Sequence, residues 1–482
     1  MITFIFEPDI PSNQKEEKEV KAGGAPIISN GAGIDKHSSL PYSIISNAVR
    51  PATFKDAINN TEGMQAKSLK EVDLSADDIY IYPIFTTEFL SVFGYTHEYE
   101  SKYKFLDPVR VIIPSIFEFL PDSIIDKARK KELYIAVMSI CEGKSYYSGW
   151  DYVKFSCNMH GISESQIIPV LCGEHSEYKD DVLNFRKDYI HLNYYALELS
   201  YKIKKGYETI LNTLSNEKKK HFICLNSQIK PHRYHLVSNI FNNDLINYGY
   251  ISCQNYESHV NNFSQIEGIY QMREVLRQDG ANISEFLQFY STLPYTVDSI
   301  NQNNYTNALH SSWNHDSKLY DLNINKACDI TSNQIDAYYK AAVIDVITET
   351  ALIDHDIKFL TEKTFKAIMY KMPFIISGDK GNNKELLRHG FKLYDMLFDY
   401  TFDDYDSYVD RNNAITKQLK KYCDMPLKDF VNRVQQDDVQ KVIEHNFTML
   451  KNNNVWQNFA NDLVRQLLGH NNVWLNFDND LY

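Results

Sequence analysis

From Ile79 onward, short runs rich in Ile, Val, Tyr and Phe alternate with helical stretches, and this alternation constrains the fold more than any other feature of the chain. The runs are IYIYPIF (79–85), VRVIIPSIF (109–117), LYIAVMSI (133–140) and QIIPVLCG (166–173), mostly β-branched and aromatic. Between them lie the helical segments DSIIDKARKK and WDYVKFSCNMHGI, the second closed by Gly161. Such alternation predicts β-α-β units and a parallel sheet. Residues 192–220 read as helix ending in Lys218-Lys219-Lys220, taken as basic residues complementing a helix dipole. The pattern then restarts with HFICLN, the helix RYHLVSNIFNNDLINYG, the strands YISC and AAVIDVITET, the helix TEKTFKAIMYK and the strand PFIISG.

The fold class expected is α/β, with two Rossmann-like domains and a C-terminal helical extension. Residues 1–75 are a loop-rich segment with a first strand, 76–216 and 217–402 are the two α/β domains, and 403–482 is a helical tail. Trp456 and Trp474, at helical spacing to other apolar residues, read as core of that tail.

Composition supports a folded globular chain: 43% of the 482 residues are hydrophobic and 23% charged, with 18 Gly and 14 Pro. The formal net charge of −13 repels polyanions and weighs against a surface dedicated to nucleic acid. Seven scattered cysteines, with no C-x-x-C pair, indicate neither a disulfide framework nor a zinc knuckle. The first apolar run is broken at once by Glu7, Pro8 and Asp9, unlike a signal peptide, and no apolar stretch is long enough to span a bilayer. A cytoplasmic setting is expected.

The segment from Val346 to Gly378 is the most informative for chemistry. A strand ends at Thr348-Glu349, and after a loop Thr361-Glu362-Lys363 opens an amphipathic helix. Thr361 suits the N-cap, the helix N-terminus attracts phosphate, and Lys363 adds a full charge in the first turn. The Glu349 carboxylate, at the carboxyl end of a parallel strand, is placed to accept hydrogen bonds from ribose or sugar hydroxyls. A second basic strand-to-helix turn holds Lys230 and Arg233. Its guanidinium and ammonium can neutralise a leaving diphosphate, the former through two oxygens at once. His232 is as readily a packed ring as a sugar ligand.

The pattern of Glu, short loop, Thr-Glu-Lys, helix and Pro-Phe-Ile-Ile-x-Gly resembles the donor-binding motif of fucosyltransferase-like and exostosin-like glycosyltransferases of the two-Rossmann (GT-B) type. The block ICLNSQIKPHRYHLVSNIFNNDLINYGYISC resembles the strand-to-helix segment of phage and bacterial glycosyltransferase-like proteins of that group. SIIDKARKKELYIAVMSICEGKSYY is a looser echo in the acceptor half, and puts Glu142 at a strand end facing the interdomain cleft. Thr350-Ala351 stand where fucosyltransferases carry Asn-Ser, so fucose and GDP are not implied.

The resemblance implies a glycosyltransferase with GT-B architecture that moves a hexose or pentose from a nucleotide-diphosphate sugar, UDP-sugar favoured, to a hydroxyl on a glycan, protein or modified DNA. Glu142, Arg233 and Lys363 are the expected catalytic residues. Asn226, Lys230, His232, Arg233, Glu349, Thr361, Glu362 and Lys363 are expected to bind the donor. Rivals to Glu142 as base are His160, Asp151 and Glu174. No metal is expected: His310, His315 and Asp316 lack ligand spacing and read as a solvated loop. Gly381, Asn382 and Asn383 are a further candidate phosphate or base loop. Two other functions fit the same residues: a phage DNA glycosyltransferase acting on hydroxymethylated bases, and a catalytically silent nucleotide- or carbohydrate-binding module.

Overall fold

The computed structural model describes residues 1–6, 51–74, 78–85, 117, 120–139, 147–171, 174–175, 189–207, 217–226, 230–253, 272–293, 330–349, 357–452 and 454–471. Glu142, most of the run 109–117, the His310, His315 and Asp316 group and Trp474 lie outside them, as do the side chains of Asp151 and Glu174. The chain forms two compact units, one of residues 1–194 with 455–482 and one of residues 195–454. No helix among the described residues is long and apolar enough to cross a membrane.

The first unit holds a six-stranded parallel sheet. Its elements are β1 (Ile2–Phe6), α1 (Pro51–Asn59), β2 (Met64–Ser68), β3 (Ile79–Phe85), α2 (Asp122–Arg129), β4 (Leu133–Ser139), α3 (Tyr147–His160), β5 (Ile167–Leu171) and β6 (Ile190–His191). The spatial order is β2-β1-β3-β4-β5-β6. All five residues of β1 are buried, because β1 runs between β2 and β3 with Phe4 opposite both Ala66 and Ile81. Gly161, at φ +65°, closes α3 in a left-handed turn, and the Ile162 amide returns to the Cys157 carbonyl at 2.9 Å.

Packing divides the chain differently from the expected boundaries. β1 and β2 belong to the first sheet rather than to a separate N-terminal segment. The last helix, Asn454–Asn471, joins the same unit because Trp456 stands edge-on to Phe54 at 5.1 Å, and its indole donates to Thr61 Oγ1 at 2.7 Å. Trp456 is 1% exposed, a core residue. The other helices of the expected tail, between Tyr408 and Lys451, pack within the second unit.

The second unit is built on α4 (Tyr194–Lys202, from its second residue), β7 (Lys220–Leu225), α5 (Pro231–Asn242), β8 (Gly249–Ser252), α6 (Ile283–Tyr290), α7 (Ile330–Ala341), β9 (Ala342–Thr348), α8 (Glu362–Met369), β10 (Phe374–Ser377), α9 (Asn382–Arg388), α10 (Tyr408–Cys423), α11 (Leu427–Val434) and α12 (Asp437–Lys451). Its sheet is parallel throughout, in the order β10-β9-β7-β8. The chain steps from β7 outward to β8, then returns to lay β9 on the other side of β7. Connections therefore leave the carboxyl ends of β7 and β9 in opposite directions, which is the switch point where doubly wound sheets open a crevice.

The lysine run corrects the helix-end reading. Lys218 Nζ donates to the Lys340 and Ala342 carbonyls at 2.7 and 2.6 Å, the Lys219 amide donates to Ala341 O, and Lys220 opens β7. The run ties the start of β7 to the start of β9, and burial lowers the Lys218 ammonium to about 8.

Candidate functional site

At the crest, where three strands end, Asn226 follows β7 directly, Glu349 follows β9 directly, and Gly378-Asp379 follow β10. Across the switch point Thr348 Oγ1 donates to Asn226 Oδ1 at 2.6 Å, while the Asn226 amide donates to Ser252 Oγ at 3.0 Å and Ser252 O at 3.1 Å. Asn226 is 2% exposed, so its side chain locks β7 to β9 rather than lying open.

Glu349, wholly buried, has its carboxylate inside the fold. Oε1 accepts from the Thr361 amide at 2.8 Å and the Thr364 hydroxyl at 2.6 Å, and Oε2 accepts from the Thr361 hydroxyl at 2.5 Å. Thr361 in turn caps α8 through Lys363 N at 3.4 Å. A carboxylate at a helix N-terminus is favoured by the dipole and satisfies amides that have no partner within the helix. The acid expected to meet sugar hydroxyls thus holds the first turn of α8 on the end of β9.

The first turn of α8 carries Glu362 and Lys363, whose side chains approach at 3.4 Å and are about one-fifth exposed. Burial works to raise the Glu362 carboxyl, but Lys363, Lys366 and its own amide outweigh it and hold it at about 2. Lys363 Nζ also donates to Thr361 Oγ1 at 3.2 Å.

On the other side of the switch point, α5 starts at Pro231 after Lys230, which is extended and makes no side-chain cap. His232 and Arg233 follow in the first turn, 0% and 2% exposed. His232 donates from Nε2 to the Glu349 carbonyl at 2.8 Å, which fixes its tautomer and leaves Nδ1 as a buried acceptor with no hydrogen bond. Burial, then the neighbouring Arg233 charge, hold His232 well below the usual imidazole range. Arg233 reaches the Thr348 carbonyl at 3.4 Å, and burial lowers its guanidinium against the opposing pull of Glu349 and Glu362.

The structure therefore gathers all eight expected donor-binding residues around one switch point of one unit. Of the expected catalytic residues, Arg233 and Lys363 are there, while Glu142 lies outside the described residues. His160 belongs to the first unit, its ring edge-on to Phe117 and its carbonyl accepting from Arg129 Nε at 2.5 Å.

Several residues of the crest are not among those singled out from the sequence. Asn412 of α10 donates from Nδ2 to His232 O at 2.9 Å and accepts from Ser377 Oγ at 2.5 Å, bridging α5 and β10. Arg411 holds the Gly378 carbonyl at 3.1 Å. Asp403 accepts from the Asn383 and Lys384 amides at 3.2 and 3.0 Å. That carboxylate stands where a phosphate would bind α9, which removes the suggestion of a phosphate loop at Gly381-Asn382-Asn383. The signal that could have found Arg411 and Asn412 is periodicity: they fall among the buried positions Tyr408, Ile415, Leu419 and Tyr422 of α10.

No protein-family model, curated protein or solved structure matches the chain.

Proposed function

We propose that the second unit binds a nucleoside-diphosphate sugar at the β7/β9 switch point and that the chain is a glycosyltransferase. The observation that carries this reading is the convergence of two helix N-termini, those of α5 and α8, on that crest. Lys230, Arg233, Lys363 and Lys366 stand there against the carboxylates of Glu349 and Glu362. Cations in the first turns of two helices at a switch point suit a diphosphate, and they meet negative charge as it grows on the departing group. In this reading Lys363 stabilises the leaving phosphate from α8, whose own first amides Glu349 and Thr361 occupy, and Arg233 supports it from the first turn of α5. Cationic side chains take the part that a divalent ion plays elsewhere, so transfer proceeds without one. Acceptor recognition falls to the first unit by the resemblance alone.

The test is a thermal-shift and calorimetric screen of UDP, GDP, dTDP and ADP. A bound diphosphate stabilises the fold by about 2.7 kcal/mol at a hundredfold excess over its dissociation constant. No shift with any of the four overturns the reading. Binding with no donor turnover, with or without acceptor, converts it to a silent binding module.

A further inference from the structure

Within the second unit a cavity of about 180 Å³ lies between α5, α6 and α10. Its floor is made by His235 and Ser238, both buried, together with the apolar side chains of Leu276, Phe286 and Val409. The space suits several waters or a single pyranose ring.

The hydrogen-bonding inventory of the rim defines what fits. Asn239 Nδ2 donates to Asn413 Oδ1 at 2.8 Å, which leaves Asn239 Oδ1 as an open acceptor and Asn413 Nδ2 as an open donor. Asn282 caps α6 by accepting from the Ser284 and Glu285 amides, and its Nδ2 holds Glu285 Oε1 at 2.8 Å, leaving Oε2 as a charged acceptor. Ser238 Oγ accepts from Asn242 at 3.2 Å and keeps its proton to donate. Donors and acceptors thus surround an apolar floor.

Charge narrows the ligand further. None of the lining residues is a Lys or Arg, and Glu285 is the one carboxylate among them. His235 is neutral near pH 7, since burial lowers it to about 4. The cavity therefore disfavours phosphates and other anions, and its polar rim disfavours lipids.

We propose that this cavity is a binding site for a neutral monosaccharide, held by vicinal hydroxyls on Asn239, Asn413 and Glu285. Hydroxyls that both donate and accept match the alternating rim, and a few convergent polar groups over an apolar floor are the usual build of a small-molecule site. Its lining residues are none of those assigned to the proposed diphosphate site, and the proposal does not depend on that site.

Saturation-transfer NMR and calorimetry with glucose, galactose, mannose and N-acetylglucosamine, each at about 10 mM, test it on the full chain. At least one sugar should bind, and Asn413→Ala and Glu285→Ala should each weaken it about tenfold or more. Inorganic phosphate should not compete. Should Glu285→Ala disturb the α6 cap, Asn413→Ala, at an exposed helical position, decides alone. Binding of none of the four sugars overturns the proposal, as does sugar binding that Asn413→Ala leaves unchanged. UDP binding unaltered in Asn413→Ala separates this outcome from any failure at the crest.

Discussion

Thr361 gives both its backbone amide and its hydroxyl to the two carboxylate oxygens of Glu349, at 2.8 and 2.5 Å, across twelve residues of chain. With Thr364 added at 2.6 Å, the end of β9 and the start of α8 become one hydrogen-bonded unit with no exposed polar atom on the acid.

Glu349→Gln is therefore expected to act on folding before it acts on ligand. An amide offers one acceptor oxygen where the carboxylate offers two, and its NH2 faces the donors of Thr361 or Thr364. Hydrogen bonds to a charged group contribute about 1.5–3 kcal/mol each, so the variant should lose roughly 2–4 kcal/mol in urea unfolding. Wild-type stability together with weakened UDP binding would show that the carboxylate meets ligand instead.

Gly378 marks the tightest approach at the crest. A Cβ there would lie 2.3 Å from Asn382 Nδ2 and 3.2 Å from Glu349 Cβ, with Asn382 wholly buried and its amide without a hydrogen bond. Gly378→Ala should cost about 1–3 kcal/mol by overpacking. Equal unfolding midpoints for the variant and the parent would mean that Asn382 moves aside freely.

Lys363 provides the cleaner test of mechanism, because it is partly exposed while Arg233 is buried and its loss would also disturb packing. If it meets charge that grows on the leaving phosphate, Lys363→Ala should lower kcat by about 10²-fold or more, rather than raise KM alone. Transfer should continue in EDTA, since cations replace the ion. Unchanged kcat, or loss in EDTA reversed by manganese, counts against the leaving-group argument.

The sequence made β7, β9 and β10 legible because parallel strands covered on both faces appear as mainly apolar, β-branched runs. The Thr361 cap was legible as well, since a cap is a local matter. Strand order was not, because nothing within a run says which neighbour it takes. The partner of Glu349 was hidden for the same reason: an acid at a strand end looks identical whether it faces solvent or a hydroxyl twelve residues on. Lys218–Lys220 was misread because a basic run at a helix end and one at a strand start have the same composition, and only the carbonyls of Lys340 and Ala342 distinguish them. Asn412 looked like any polar helical residue until Ser377 and His232 were found on either side of it.

The two histidines of α5 make the second unit sensitive to acid. His235 is 6% exposed, accepts from Asn412 Nδ2 at 3.4 Å and lies edge-on to Tyr408 at 6.0 Å. Burial lowers it from 6.5 to about 4, and burial with Arg233 lowers His232 in the same direction. Below pH 6.5 the unfolded chain takes up protons that the fold refuses, so the unfolded state binds more and stability falls with pH. Above 6.5 both states are neutral and this contribution is complete; it is lost progressively from 6.5 down to about 4. For His235 alone the loss is roughly 3 kcal/mol by pH 4. His235→Gln removes the titration while leaving an acceptor for Asn412, so its urea midpoint should fall less between pH 7 and pH 4.5 than that of the parent. Parallel pH profiles for the two proteins would show that His235 takes up its proton without unfolding the helix it sits on.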